Sequence, residues 1–122
     1  MEELERSTSL CTGFTVNICL SYGSRGDITR SCRHAAQLVQ SGQIRLEDVN
    51  EELINQHLST KGLPDPDILI RTSGEYRLSN FLLWQMAYTE FFFIDKLWPQ
   101  ITQADLNDIL DKYSRRNRRF GS

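Results

Sequence analysis

The chain has 122 residues, a formal net charge of −2 and a hydrophobic share of 39%. This length allows one modest domain with one hydrophobic core, and the slightly acidic balance argues against a basic protein that coats nucleic acid. Three cysteines without a CxxC pair favour reduced thiols over a disulfide framework or a zinc site.

Helix and strand patterns alternate along the first half of the chain. Residues 1–10 are expected to be the end of a helix. Residues 14–22 are rich in β-branched and aromatic side chains and predict a strand. Apolar residues at helical spacing predict an amphipathic helix over 27–40 and a more polar one over 46–58.

The second half continues this alternation after a break at the prolines of 62–67. The patterns predict a buried strand over 67–72, a buried helix over 78–88 capped by Ser79 or Asn80, a strand over 90–94, and a last helix with a Thr102–Asp105 capping box. The predicted fold class is therefore α/β, with a mainly parallel sheet flanked by helices. About three strands are fewer than the usual four to six, so we expect an incomplete domain.

The stretch DILIRTSGEYRLSNFLLW, residues 67–84, frames a polar turn with arginines between two apolar runs. A strand, a polar turn and a helix start form the arrangement in which open parallel sheets bind ligands, and a helix N-terminus favours phosphate. Arginines can bind phosphate oxygens bidentately, and a glycine lets the backbone approach a ligand closely. We predict a diphosphate-sized anion site formed by Arg71, Ser73, Gly74, Arg77 and Ser79.

A purely structural role for the two arginines is an open alternative. Arg71 and Arg77 would then pair with Glu75, Asp65 or Asp67, since structural ion pairs are common.

Glu90 is a second candidate, because it is a carboxylate inside the aromatic run AYTEFFF. Burying it without a partner would be costly. It either faces solvent on its strand or faces the phosphate site and holds Mg²⁺, which favours carboxylates together with phosphate oxygens.

Beyond these single residues, long stretches of the chain closely resemble the cis-prenyltransferases, a family that includes undecaprenyl and dehydrodolichyl diphosphate synthases. The resemblance rests on DPDILIRTSGEYRLSNFLLWQMAYTEFFFIDKLWP (65–99), on TGFTVNICLSYGSRGDI (12–28) and on the terminal RRNRRFG (115–121). It covers essentially the whole chain, and the RTSGE-x-RLSNFLLWQ block is highly specific.

The resemblance implies roles for particular residues. Arg71, Arg77 and Ser79 would hold the diphosphate of isopentenyl diphosphate, supported by the loop residues Ser73, Gly74 and Glu75. Glu90 would help to bind Mg²⁺. The family enzymes are homodimers, and Arg118 and Arg119 would lie near the partner's active site.

One segment of the family pattern has no counterpart here. The allylic diphosphate site of the family carries an Asp-Gly-Asn-x-Arg segment, and no DGN or GNxR string is present. Residues 1–122 are therefore expected to be a partial, C-terminal cis-prenyltransferase domain. The parent enzyme would condense isopentenyl diphosphate with an allylic diphosphate of the farnesyl type, whereas this chain alone would be inactive or would act as a non-catalytic subunit through dimerisation.

The arginine-rich tail supports a rival hypothesis of RNA or anionic membrane binding. It holds only four arginines, which are also favourable at a helix C-terminus, so we expect no nucleic-acid partner. The run 81–94 is interrupted by Gln85 and Glu90 and is too short for a membrane span. The expected location is the cytoplasm or the periphery of a membrane, the latter through a lipid product.

Overall fold

The computed structural model describes residues 2–116. Its helices and strands are α1 Glu2–Thr8, α2 Ser24–Gln40, α3 Glu51–Asn55, β1 Ile68–Arg71, β2 Glu90–Phe93 and α4 Gln103–Ser114, with short 3₁₀ turns at Leu46–Asp48 and Trp98–Gln100. The predicted α/β class and the parallel sheet are confirmed.

The sheet consists of β1 and β2 in parallel, with Ile68 opposite Glu90 and Arg71 opposite Phe93. Backbone hydrogen bonds extend the pairing at both ends, because Glu90 donates to the carbonyl of Asp67 (3.0 Å) and Ile94 donates to that of Arg71 (2.8 Å). Both strands therefore form where the buried, β-branched and aromatic runs predict them.

The described chain has a small set of buried residues in α2, α3, β2, α4 and the segments between them. Its buried apolar members are Ala35, Ile54, Leu58, Met86, Phe92 and Ile109.

One carboxylate, Asp27, is also buried, and it accepts hydrogen bonds from the Tyr22 hydroxyl (3.1 Å), the Arg30 guanidinium (2.8 Å) and the Ser59 hydroxyl (2.7 Å). The pKa of Tyr22 is raised, first by burial of the side chain and then by the nearby negative charge of Asp27. The polar network thus fastens α2 to the segment after α3.

The strand predicted over 14–22 is wrong. This segment is irregular, and its alternate apolar side chains Phe14, Val16, Ile18 and Leu20 are all exposed. Strand propensity reflects how well a side chain fits a pleated, half-buried surface, so it takes effect only where a neighbouring strand pairs with the segment. Within residues 2–116 the sheet has two strands, and neither pairs with this segment.

The helix predicted over 78–88 is also wrong, because the segment forms a series of turns. Ser79, Asn80 and Leu82 have φ values of +48°, +65° and +44°, which a right-handed helix cannot contain. Asn80 and Leu83 of this segment bond to the start of α2. The side chains of Trp84 and Gln85 bond to Asn55 and Thr60, at the end of α3 and just after it. Long-range contacts thus replace the local helix. The polar helix predicted over 46–58 is likewise split into a 3₁₀ turn and the short α3.

Candidate anion-binding site

Arg71 lies at the end of β1 and is half-buried. Within residues 2–116 its guanidinium forms no ion pair and no hydrogen bond, so the structural role considered above does not hold for this arginine. A half-buried cation at the carboxyl end of a parallel strand is well placed to receive an anion.

The turn after β1 owes its shape to two residues in the left-handed region, Ser73 (φ +69°) and Gly74 (φ +63°). Their amides are already used: Ser73 donates to the carbonyl of Lys96 (2.9 Å) and Gly74 to that of Ile94 (3.0 Å). A Cβ at position 74 would lie 3.3 Å from Asp95 Oδ1. Gly74 therefore allows close packing against the chain after β2, and an anion would meet side chains rather than these amides.

Arg77 forms an ion pair with Glu75, as the structural alternative proposed. The Arg77 side chain is 63% exposed and that of Glu75 34% exposed. Exposed pairs of this kind contribute little, commonly less than about 1 kcal/mol. A diphosphate would therefore displace Glu75 from Arg77 at small cost.

Ser79 is exposed, and within residues 2–116 its hydroxyl forms no hydrogen bond. No helix begins here, so the phosphate-favouring helix N-terminus expected at Ser79 is absent from the described chain. The neighbouring Asn80 contacts the N-terminus of a different helix, α2: its carbonyl accepts from Ser24 (2.8 Å) and its Oδ1 accepts from the amide of Arg25 (2.8 Å). Sequence patterns identified Asn80 only as a local cap and missed this contact.

Glu90 lies apart from Arg71. It is opposite Ile68, three residues before the position of Arg71 in the parallel register, which is roughly 10 Å along the strands. Because side chains alternate between the two faces of a sheet, Glu90 also faces the side opposite to Arg71.

Arg116 forms an ion pair with the Glu90 carboxylate. It also stacks on Phe92, with its guanidinium carbon 4.5 Å from the ring centroid. This partner of Glu90 was missed, although the arginine-rich tail of the sequence offered a signal.

The described residues do not by themselves fit a magnesium ion. A carboxylate is the right kind of ligand, but Glu90 is held by Arg116, and within residues 2–116 no three His, Cys, Asp or Glu side chains are grouped so as to hold a metal. The metal role of Glu90 stays a prediction. Arg118 and Arg119, the partner-site candidates, lie outside the described residues.

No helix in the stretch 2–116 combines the length and the apolar character needed to cross a membrane.

The fold and the turn together define an α/β protein with cationic side chains at the carboxyl end of a parallel strand pair. The model of the undecaprenyl diphosphate synthase family matches residues 1–121. The chain belongs to this family of prenyl diphosphate synthases.

The chain is also similar in sequence to individual curated members of this family. The chain is 50% identical over 121 residues to an isoprenyl transferase of Porphyromonas gingivalis, covering 99% of this chain and 48% of the relative. It is 45% identical over 119 residues to a ditrans,polycis-undecaprenyl-diphosphate synthase, farnesyl-diphosphate specific, of Vibrio parahaemolyticus, covering 98% of this chain and 47% of the relative. The chain thus spans about half the length of these curated relatives.

A solved structure shares the fold. The crystal structure of lavandulyl diphosphate synthase from Lavandula x intermedia, in complex with dimethylallyl diphosphate, superposes with a TM-score of 0.92 at 41% identity. The match covers 99% of this chain and 52% of the lavender enzyme.

Proposed function

We propose that this chain carries the isopentenyl diphosphate side of a cis-prenyltransferase whose complete form joins isopentenyl diphosphate to an allylic diphosphate of the farnesyl type. The observation that carries the proposal is that Arg71 is half-buried and its guanidinium has no ion-pair or hydrogen-bond partner within residues 2–116. Arg71 lies in the same short segment as the exposed Arg77 and Ser79. Two cations and a hydroxyl suit the charge and the oxygen atoms of a diphosphate.

The chain's own residues would bind and orient this substrate. Arg71 and Arg77 would neutralise the diphosphate, Ser79 would donate one hydrogen bond, and Gly74 would keep the turn packed against Asp95. Fixing one reactant in this way lowers the entropic cost of a bimolecular condensation. The rest of the reaction needs an allylic diphosphate site, for which the described residues offer no candidate.

Magnesium belongs to the proposal as a property of the reaction class. When bound, it would neutralise charge on diphosphate oxygens. Within residues 2–116 the candidate ligand is Glu90, but it is paired with Arg116 and faces the side of the sheet opposite to Arg71, so a bound ion would depend on groups beyond residues 2–116.

A second candidate function is that of a non-catalytic subunit that acts by dimerisation. It is supported by the exposure of several large side chains of the second half, Tyr76, Tyr88, Leu97 and Trp98, because exposed apolar patches commonly mark interfaces. In either case the partner is proposed to be a second copy of a family chain in a two-fold dimer, and a long lipid product would bring the complete enzyme to a membrane surface.

Isothermal titration with isopentenyl diphosphate tests the proposal. We expect Arg71→Ala to weaken binding by about tenfold or more, because a charge-assisted hydrogen bond is lost. Arg45→Ala is the control, since Arg45 is an exposed arginine of the loop between α2 and α3 and is paired with Asp48. Equal affinity of the wild type and Arg71→Ala would contradict the proposed site.

A further inference from the structure

The N-terminus of α2 lacks a cap of its own. The residue at its N-cap position is Gly23, which has no side chain to accept a hydrogen bond from the first turn. The first amides of a helix have no partner within the helix and need an outside acceptor. For α2, Asn80 supplies this acceptor twice: its carbonyl oxygen accepts from Ser24 and its Oδ1 accepts from Arg25, both at 2.8 Å.

The contact is reciprocal and closely packed. Ser24 is fully buried, and its hydroxyl accepts a hydrogen bond from the amide of Leu83 (2.9 Å). A Cβ at position 23 would lie 2.8 Å from Asn80 Nδ2, which leaves no room for a larger residue than Gly23 unless the amide moves. The segment 79–83 and the start of α2 are therefore fixed to each other by three hydrogen bonds and by shape.

Asn80 suits this position for two reasons. Its φ of +65° lies in the left-handed region, which asparagine adopts more readily than most residues. Its side chain is also among the preferred acceptors for the first turn of a helix. Few other side chains combine both properties.

We propose that Asn80 is the positioning residue of the anion site: by capping α2 it fixes the backbone of the adjacent Ser79 and aims the serine hydroxyl at the diphosphate. This inference rests on the proposed function. Asn80 acts through its hydrogen bond to Arg25 of α2, which is 55 residues away along the chain. It does not contact the substrate.

The test compares two asparagine caps in the same chain. Asn80→Gly removes the side-chain bond to Arg25 but keeps the left-handed backbone and the carbonyl bond to Ser24. Asn50→Gly is the matched control, because Asn50 Oδ1 caps α3 by accepting from the amide of Leu53 (2.9 Å). Asn50 lies outside the segment from Arg71 to Ser79 that forms the candidate site. Replacement of such caps by glycine changes stability little, so both variants are expected to fold.

Amide hydrogen exchange and titration with inorganic pyrophosphate and isopentenyl diphosphate are measured on the 122-residue chain. In Asn80→Gly we expect faster exchange at Arg25 and Kd values for both ligands raised about tenfold, the loss of one charge-assisted hydrogen bond. In Asn50→Gly we expect faster exchange at Leu53 and unchanged Kd values.

The possible failures are distinguishable. If the wild type binds both ligands and Asn80→Gly binds them equally well, the positioning role is wrong and the proposed function stands. If Asn50→Gly weakens binding as much as Asn80→Gly, the effect is one of general stability and the positioning role is again wrong. If the wild type binds neither ligand, the proposed function fails and this inference fails with it.

Discussion

The two arginines of the candidate site, Arg71 and Arg77, differ in their contacts, and this difference predicts, at the scale of single residues, how one substitution changes ligand affinity. Glu75 occupies Arg77, whereas Arg71 has no carboxylate partner within residues 2–116. A bound diphosphate has to displace Glu75, so Glu75→Gln should tighten the binding of isopentenyl diphosphate about two- to fivefold, the range set by an exposed ion pair. Titration calorimetry at moderate salt measures the change.

Asp48→Asn is the matched control for this experiment. It releases Arg45 from a similar exposed pair and removes the same charge without touching the turn. If Glu75→Gln weakens binding while Asp48→Asn does not, Glu75 holds Arg77 in its binding position and does not compete for it.

The contact between Arg116 and Glu90 leads to a second prediction at this scale. Because the Glu90 carboxylate is paired with Arg116, Glu90→Gln should leave the Mn²⁺ affinity of the diphosphate-free chain unchanged. It should lower the free energy of unfolding, since Arg116 loses its partner while it remains against Phe92. Electron paramagnetic resonance of free Mn²⁺ and urea unfolding measure the two effects. A marked loss of Mn²⁺ affinity would show that Glu90 binds the metal without diphosphate.

At the scale of elements, the start of α4 makes stability depend on pH. Asp105 accepts from Lys96 (2.6 Å) and from the Thr102 hydroxyl (2.7 Å), and these partners, Lys96 first, lower the pKa of Asp105 from 3.8 to about 2. A lowered pKa stabilises the folded state above the ordinary value of 3.8, and this stabilisation is lost as the pH falls from 3.8 through about 2.

Asp105→Asn should therefore lower the free energy of unfolding at pH 7 and flatten its dependence on pH between about 4 and 2. Asp108→Asn, which disrupts the exposed pair with Lys112 on the same helix, serves as the control. Urea unfolding at several pH values gives both curves, and identical curves for the two variants would contradict the role of Asp105.

The elements also show which parts of the fold are predictable from sequence. β1, β2, α2 and the capping box of α4 depend on local patterns of burial and capping, and sequence analysis finds them near their observed positions. Residues 14–22 and 78–88 fail because their conformations depend on distant partners: the first has no neighbouring strand in the described chain, and the second bonds to the start of α2.

The candidate site follows the same rule. Arg71, Arg77 and Ser79 are recognisable because they share one short segment. The separation of Glu90 from Arg71 depends on strand register, and its pairing with Arg116 depends on where α4 ends. Neither feature is encoded locally, so the sequence left open whether Glu90 faces solvent or faces the phosphate site and holds Mg²⁺.

At the scale of the whole molecule, the exposed aromatic side chains predict self-association. Tyr88 and Trp98 are about two-thirds or more exposed, at 68% and 72%, which is a large apolar area for a small chain to leave in water. We expect a dimer in sedimentation velocity at high protein concentration, and Trp98→Asp should shift it towards the monomer. Leu46→Asp, at a similarly exposed position before α3, should leave the assembly unchanged. A monomer at all concentrations would contradict this proposal.

We propose that residues 1–122 bind isopentenyl diphosphate without completing prenyl transfer, and a single incubation measures both steps. The chain is mixed with radiolabelled isopentenyl diphosphate, farnesyl diphosphate and Mg²⁺, and label is measured on the protein and in the solvent-extractable lipid. We predict label retained by the wild type, less label retained by Arg71→Ala, and no long-chain product. Absence of retained label would contradict the binding site, and long-chain product would show that the chain also supplies the allylic side.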